Sequence, residues 1–434
     1  MMISFKQYKF LLAAFIIFLS FGCKNQSQQK PLFQILSSAK TNIHFTNTLV
    51  DHDSLNFLDY LYYYNGGGVA VGDINNDGLP DIYFSANSKG NNKFYLNKGN
   101  MQFEDITAKA GVAGISDWCT GVTMADVNGD GWLDIYVCSI NKKLGLHGKN
   151  QLFINNHDET FTDSAAEYGL DFQGYAQQAV FFDYDHDGDL DCFLLAQSAH
   201  SNETYGDTSL RRHISDVAGS RMFRNELNKG ERKFTDVTST CGIYSSALGY
   251  GLGVAVADLN NDGWDDIYVG NDFHENDYYY LNNGNGTFTE SGAKHFNHYS
   301  RFSMGNDIAD YNNDGQLDVF TLDMLPADEK ILKTYAGGDQ LDIYNNNIIK
   351  NGYQNQYSKN CLQKNLGNGE AFSEQSLLAG VAATDWSWSA LFGDYDNDGI
   401  KDLFISNGIV KRPVDLDYMK FISSPQITRQ LNST

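Results

Sequence analysis

A nine-residue acidic loop recurs six times in this chain and constrains its fold more than any other feature. The richest copy is Asp183-Tyr-Asp185-His-Asp187-Gly188-Asp189-Leu-Asp191, with five carboxylates in nine residues. Like charges this close repel, and burial raises the cost, unless a cation sits among them. Side chains at positions 1, 3 and 5, a main-chain carbonyl at position 7 and a carboxylate at position 9 can converge on one hard ion. The glycine at position 6 permits the sharp turn that aims them. An all-oxygen, multiply charged donor set of this kind suits calcium.

The other five copies keep the same four side-chain positions. They are Asp73, Asn75, Asp77 and Asp81; Asp126, Asn128, Asp130 and Asp134; Asp258, Asn260, Asp262 and Asp266; Asp310, Asn312, Asp314 and Asp318; and Asp394, Asp396, Asp398 and Asp402. An ordinary Asp/Gly turn explains one such loop as well as calcium does. Six copies, each with Asp at position 9, point to about one calcium ion per repeat and up to six in all. An EF-hand needs a bidentate Glu at position 12, which here is Phe84, Val137, Leu194, Val269, Thr321 or Ile405. The flanks, such as Gly-Val-Ala-Val-Gly before and Asp-Ile-Tyr-Phe after, read as short buried strands. Each loop is therefore expected to join two strands of a hairpin.

Downstream of each of the first five loops comes a segment ending in asparagine: Asn92–Asn97, Gln151–Asn155, Met222–Asn225, Tyr279–Asn282 and Leu362–Asn365. A Phe-x-Asp/Glu segment follows each, beginning at Phe103, Phe161, Phe234, Phe288 and Phe372. Four strands per unit at this period predict an all-β fold, a β-propeller whose blades stack around an axis. A β-helix of calcium nonapeptides is the rival, but its repeats would follow one another without intervening strands. Six repeats make a six-bladed or an incomplete seven-bladed ring, since the sixth unit lacks its outer two strands. The segment Ile43–Thr48 reads as an isolated strand and is expected to pair with the last blade.

First aspartates are spaced 53, 57, 75, 52 and 84 residues apart, so two blades carry insertions. The first, 197–219, clusters Arg211, Arg212 and His213. The second, 324–359, is expected to be partly helical. Asp328 would cap one helix, Leu341, Tyr344 and Ile348 would share a face of another, and Gly352 would end it. Tyr335, Tyr344, Tyr353 and Tyr357 lie in the second. Loops on a rigid scaffold are where recognition is placed, although solvated decoration explains insertions equally well.

The amino terminus reads as a targeting segment. Lys6 and Lys9 precede an apolar run ending at Gly22, and Cys23 is followed by a polar stretch. Residues 1–22 resemble a bacterial lipoprotein signal with Cys23 as the lipidated residue, although Leu19 stands at −4 and Ser20 at −3. A plain secretory peptide is the alternative. Residues 23–42 would be a tether, 43–421 the propeller and 422–434 a tail. The expectation is an exported chain, lipid-anchored at an outer membrane or cell surface. The remaining cysteines, Cys119, Cys138, Cys192, Cys241 and Cys361, fit neither a disulfide framework nor a CxxC metal site, and buried free thiols are expected. A Cys119–Cys138 bridge is the alternative.

The formal charge is −23, but twenty aspartates sit at the loop ligand positions, and six calcium ions would bring it to −11. No basic stripe exists, which argues against a nucleic-acid partner.

The loops with their Gly-Val-Ala-Val-Gly-Asp lead-in resemble FG-GAP/VCBS repeats, the calcium-binding blades also found in integrin α-chain heads. Thr384-Asp-Trp-Ser-Trp-Ser389, Asp323-Met-Leu-Pro326 and Ser406-Asn-Gly-Ile-Val-Lys-Arg-Pro413 are similar to bacterial surface proteins of the cartilage acidic protein (ASPIC/UnbV-associated) family. No recurring His and no Gly-x-Ser-x-Gly is present, so no catalytic set is assigned and no enzyme is expected. The expected function is a calcium-stabilised surface module binding an extracellular glycan or protein. The alternatives are a structural module of a larger surface protein and an extracellular enzyme acting on polysaccharide.

Overall fold

The computed structural model describes residues 31–425 apart from 53, 58, 199–206, 336–348, 410–411 and 413–414. Cys23, the signal segment and the expected helix face of Leu341, Tyr344 and Ile348 lie outside the described residues.

From residue 66 onward the described backbone is a series of antiparallel sheets joined in chain order, five of four strands and a sixth of two. Blade one comprises Val69–Gly72, Asp81–Phe84, Lys93–Asn97 and Phe103–Asp105. Blades two, three and four begin with Cys119–Ala125, Ala176–Phe182 and Gly251–Ala257. Blade five begins with Asn306–Ala309, and blade six consists of Ser387–Gly393 and Asp402–Asn407. The inner strands pack side by side in sequence order from blade one to blade six. Nothing of comparable extent joins the inner strand of blade six to that of blade one among the described residues. The architecture is propeller-like.

Each blade buries its own faces against the next. Tyr83 and Phe94 share one cluster with Val122, Ile135 and Phe161 of the second blade. Tyr136 of blade two and Cys192 and Phe223 of blade three share another. The position-12 residues belong to this apolar second strand, which is why no Glu stands there. All five described cysteines are free and buried, four of them in strands and Cys241 at the end of the helix Thr238–Cys241, so no Cys119–Cys138 bridge forms.

Every acidic loop connects the inner strand to the second strand. Position 9 pairs with the last residue of the inner strand, as in Gly72↔Asp81 and Ala125↔Asp134. Because neighbouring strands run antiparallel, the connection from second to third strand lies at the other end of the blade. Both insertions occupy that connection, between Ala196 and Arg221 and between Thr321 and Cys361. The acidic loops and the insertions thus sit at opposite ends of the strands.

The segment at 43–48 departs from expectation, because it forms no strand and does not reach the last blade. Phe45 stacks on Phe84 of blade one with centroids 4.8 Å apart. Asn47 donates to Asn87 Oδ1 at 2.7 Å, and the Asn87 N–H returns a bond to Asn47 Oδ1 at 3.0 Å. Side-chain exchange and ring stacking hold it there in place of a ladder.

The Tyr-rich stretch closes the insertion end of the inner strands. A 3-10 turn at Leu61–Tyr64 buries Tyr60, Tyr62 and Tyr63 against Trp118, Ile140 and Tyr250. Tyr60 Oη donates to Gln197 at 3.2 Å and Tyr62 Oη to Asp272 at 3.3 Å, so this one segment bonds blades three and four. Phe57 reaches Tyr418 on the short helix Leu416–Ile422 that follows blade six.

Candidate metal centres

Six loops adopt one hydrogen-bond pattern, built on two residues with left-handed backbone. Position 4 is Asn76, Gly129, His186, Asn261, Asn313 or Asn397, with φ between 57° and 70°, and position 6 is glycine with φ between 82° and 95°. Only glycine takes that conformation freely, and asparagine tolerates it best among the rest. The turn folds the position-1 carboxylate under the loop. In the first copy the N–H groups of Asp77 and Gly78 donate to Asp73 at 3.1 and 2.7 Å, and Leu79 N–H donates to Asp77 at 2.9 Å. The same bonds recur to Asp126, Asp258, Asp310 and Asp394 at 2.7–3.0 Å, and to Asp183 at 3.1 Å.

Position 3 completes the cup. Asn75, Asn128, Asn260, Asn312 and Asp396 each accept the N–H of position 5 at 3.0–3.2 Å. Carboxylate oxygens of Asp183, Asp185 and Asp187 lie within 4.8 Å of one another, as do those of Asp394, Asp396 and Asp398. Asp185 Oδ1 is buried with no hydrogen-bond partner. Burial, followed by the charges of Asp187 and Asp183, raises the Asp185 pKa. An acceptor-only carboxylate, buried and facing two like charges, fits a hard cation.

Position 9 is held differently. Asp81, Asp134, Asp191, Asp266 and Asp318 are fully buried. In four of these blades Oδ2 accepts the N–H of position 2, at 3.1–3.2 Å from Ile74, Val127, Tyr184 and Leu259. Asp402 accepts Tyr395 N–H at 3.0 Å in the same way. Burial pushes the pKa up to about 6 in Asp81 and Asp318, about 7 in Asp134 and Asp266, and about 8 in Asp191. In blades one to four the position-9 carboxylate is therefore oriented by two backbone donors.

The second donor comes from the asparagine that ends the third strand. Asn97, Asn155, Asn225, Asn282 and Asn365 give their N–H to Oδ1 of the position-9 aspartate at 2.7–2.9 Å. Each side-chain amide also donates to the position-8 carbonyl of its own loop, from Pro80 O to Leu317 O. Four of them reach further, to the position-2 carbonyl of the preceding blade's loop. Asn155 bonds Ile74 O, Asn225 bonds Val127 O, Asn282 bonds Tyr184 O and Asn365 bonds Leu259 O, at 2.8–3.0 Å. Sequence reasoning treated this asparagine as a strand marker and missed its role as a latch between loops. Position 4 adds further links, Asn76 to Gly131 O at 3.2 Å, Asn313 to Gly399 O at 3.0 Å, and the His186 ring stacked on Trp264 at 3.9 Å.

A model for an FG-GAP-like repeat matches residues 73–137 and 258–321, each beginning at position 1 of an acidic loop. These two segments of the chain are FG-GAP-like repeats. Its sequence is 30% identical over 212 residues to cartilage acidic protein 1 of Xenopus tropicalis, covering 48% of this chain and 29% of that protein. The human protein of the same name is 28% identical over 195 residues, 44% of this chain and 27% of the relative. The chain thus spans less than a third of the length of these relatives. Among solved structures, a lectin of Agrocybe aegerita that recognises non-reducing terminal N-acetylglucosamine covers 78% of this chain and 70% of its own, at 16% identity and a TM-score of 0.37. A likeness that slight carries no argument about ligand.

At the opposite end of the blades, the two insertions are locked together. Arg211 bonds Glu275, which is 1% exposed, and its guanidinium lies over the rings of Tyr278 and Tyr353 at 5.9 and 5.6 Å. Thr208 Oγ1 donates to Asn351 O at 3.1 Å. Arg211 and Tyr353 are therefore internal pins, whereas Arg212, His213 and Tyr357 are exposed. Asp328 caps the helix Glu329–Thr334 as expected, and Gly352, at φ 89°, follows the turn Ile349–Asn351.

Proposed function

We propose that this chain is a calcium-stabilised, exported binding module, presenting its insertion face to an extracellular glycan or protein. The observation that carries the reading is the sixfold acidic cup, with buried position-9 carboxylates and the partnerless Asp185 Oδ1. Calcium bound there would neutralise charge that otherwise opposes stacking of the blades, leaving a rigid scaffold whose far end is free to vary. The residues that would hold it are those at positions 1, 3, 5 and 9. No helix among the described residues is long and apolar enough to cross a membrane. Attachment would fall to Cys23, and Cys23→Ala is expected to shift the chain to the soluble fraction or leave it unprocessed, read by fractionation and intact mass.

Glycan and protein arrays probed with and without calcium test the binding reading. Since Arg211 and Tyr353 hold the fold, the informative variants are Arg212→Ala, His213→Ala and Tyr357→Ala. They are expected to weaken capture without moving the melting temperature. Capture unchanged in all three would place the binding surface elsewhere on the ring. The second reading, a structural module within a larger surface protein, is supported by the small fraction of its relatives that the chain spans.

A further inference from the structure

Asp323, Asp385 and Arg412, drawn from three separate motifs of the sequence, come together at the insertion end of blades five and six. Asp323 accepts the N–H groups of Arg301 and Phe302, each at 3.1 Å, and so fixes the approach to the inner strand of blade five. Asp385 N–H donates to Leu325 O at 3.0 Å, and Ser387 N–H to Asp323 O at 3.4 Å. The Arg412 guanidinium bonds both Asp385 oxygens, at 2.8 and 2.6 Å. Asp385 has left-handed backbone, φ 66°, immediately before Trp386, and in the neighbouring connection of blade four Phe273 has φ 62°. An aspartate tolerates that region, whereas for a bulky phenylalanine it is strained. Strain of this kind persists where it positions a functional group.

The Phe273 and Phe302 ring centres lie 6.1 Å apart. Phe302 and Tyr335 pack against the apolar cluster that contains Trp386, and Phe273, Phe302 and Tyr335 are half-buried. The polar groups among these rings are unevenly served. Trp388 Nε1 donates to Gly408 O at 2.7 Å. Trp386 Nε1 and Tyr335 Oη are buried with no hydrogen-bond partner among the described residues. Asp272, 4% exposed, takes the Phe273 N–H at 2.8 Å on one oxygen and the Tyr62 hydroxyl at 3.3 Å on the other. Burial, then the charges of Asp323 and Asp272, raises the Tyr335 pKa, so both carboxylates lie within electrostatic reach of that hydroxyl.

Trp386 Nε1 can only donate, so its partner must offer a lone pair, which a cation does not. Two carboxylates, Asp272 and Asp323, outweigh the single Arg301 guanidinium near them, which disfavours an anion. A sugar hydroxyl both donates and accepts, and aromatic rings receive the apolar C–H face of a pyranose. We infer that this place binds one neutral pyranose residue of an extracellular glycan. Trp386 Nε1 and Tyr335 Oη donate to its hydroxyls, Asp272 accepts from them, and its C–H face lies against the Phe273 and Phe302 rings. The site presupposes the binding-module reading and narrows it to a neutral sugar at this part of the insertion end.

The test titrates the full chain in calcium with maltotetraose, cellotetraose, mannotetraose and chitotetraose, followed by calorimetry, with tetragalacturonate and choline as charged comparators. At least one neutral oligosaccharide is expected to bind saturably, with a dissociation constant of about 1 mM or tighter, and each comparator at least roughly tenfold more weakly. Tyr335→Phe keeps the ring and removes an unpartnered hydroxyl. It is expected to weaken sugar binding at least roughly tenfold while the melting temperature holds or rises, because a buried unpaired group is lost. Trp386→Phe is expected to weaken binding as much. A structural role alone would leave sugar binding in Tyr335→Phe unchanged. No saturable binding of any of the four sugars, a preference for tetragalacturonate or choline, or full binding by Tyr335→Phe overturns the site. Glycan capture lost in Arg212→Ala, His213→Ala or Tyr357→Ala but intact in Tyr335→Phe overturns it too, while the binding-module reading stands.

Discussion

The position-9 aspartates are acids whose protonated form the metal-free fold favours. Asp134, Asp191 and Asp266 titrate near 7 to 8 because burial penalises the charge, whereas in an unfolded chain an aspartate titrates near 3.9. The folded state then holds more protons than the unfolded state between those values. Without calcium, stability is expected to fall as pH rises from about 5 to about 8. With calcium the trend reverses, because the ion competes with those protons and binds better as pH rises. Melting curves at pH 5.5 and 8, in chelator and in calcium, should show a larger calcium effect at pH 8. Equal calcium effects at both would remove these carboxylates from the ligand set.

Asn225 offers a sharper test at the same scale. Its amide bridges Leu190 O and Val127 O, so Asn225→Ala leaves carbonyls of two loops without their donor. A loss of about 1–3 kcal/mol is expected in denaturant titration, together with weaker calcium binding at both the second and third loops by calorimetry. Weakening confined to the third loop would show that the latch does not couple them. The acidic loops and their place between two strands were legible in the sequence because they repeat a fixed pattern of residue types. The latch was not, because its second acceptor lies 81–106 residues away in the preceding blade. Position 4 could have been read, since Asn, Gly, His, Asn, Asn and Asn is a list of residues that accept left-handed backbone.

Among elements, the strands and their order followed from the repeat, whereas the connecting segments did not. Ile43–Thr48 has strand composition, yet Phe45 finds a ring to stack on and Asn47 a matching asparagine, and those contacts exclude a ladder. The insertions resemble free loops in sequence, but Arg211 carries the charge that balances Glu275 in a dry environment. Arg211→Met is expected to destabilise the chain by about 3–5 kcal/mol, because it strands a buried carboxylate. Arg212→Met, on an exposed neighbour, should change stability by less than about 0.5 kcal/mol. Urea denaturation of the pair separates a pin from a surface charge, and equal losses would contradict the assignment.

At the scale of the whole molecule, calcium is expected to act on all blades together, because latches and position-4 contacts tie successive loops. Chelator should lower the melting temperature in one cooperative step, restored far better by calcium than by magnesium, which demands stricter octahedral geometry and gives up its water reluctantly. An unchanged melting curve in chelator would falsify the structural role of the loops.

The tyrosine cap adds an order of events to this picture. Tyr60 meets Gln197 across 137 residues of chain, and Tyr62 meets Asp272 across 210. During synthesis or export the cap emerges before Gln197 and Asp272, the residues that it bonds. At roughly 5–20 residues per second, the tyrosine hydroxyls wait on the order of ten seconds or longer before these partners exist. Blades can zip up locally in the meantime, but the final closure spans long loops and is intrinsically slow. The vulnerable species for aggregation is therefore a partly built stack of blades with its leading segment still loose, and holdase chaperones that favour exposed aromatic stretches would find it there.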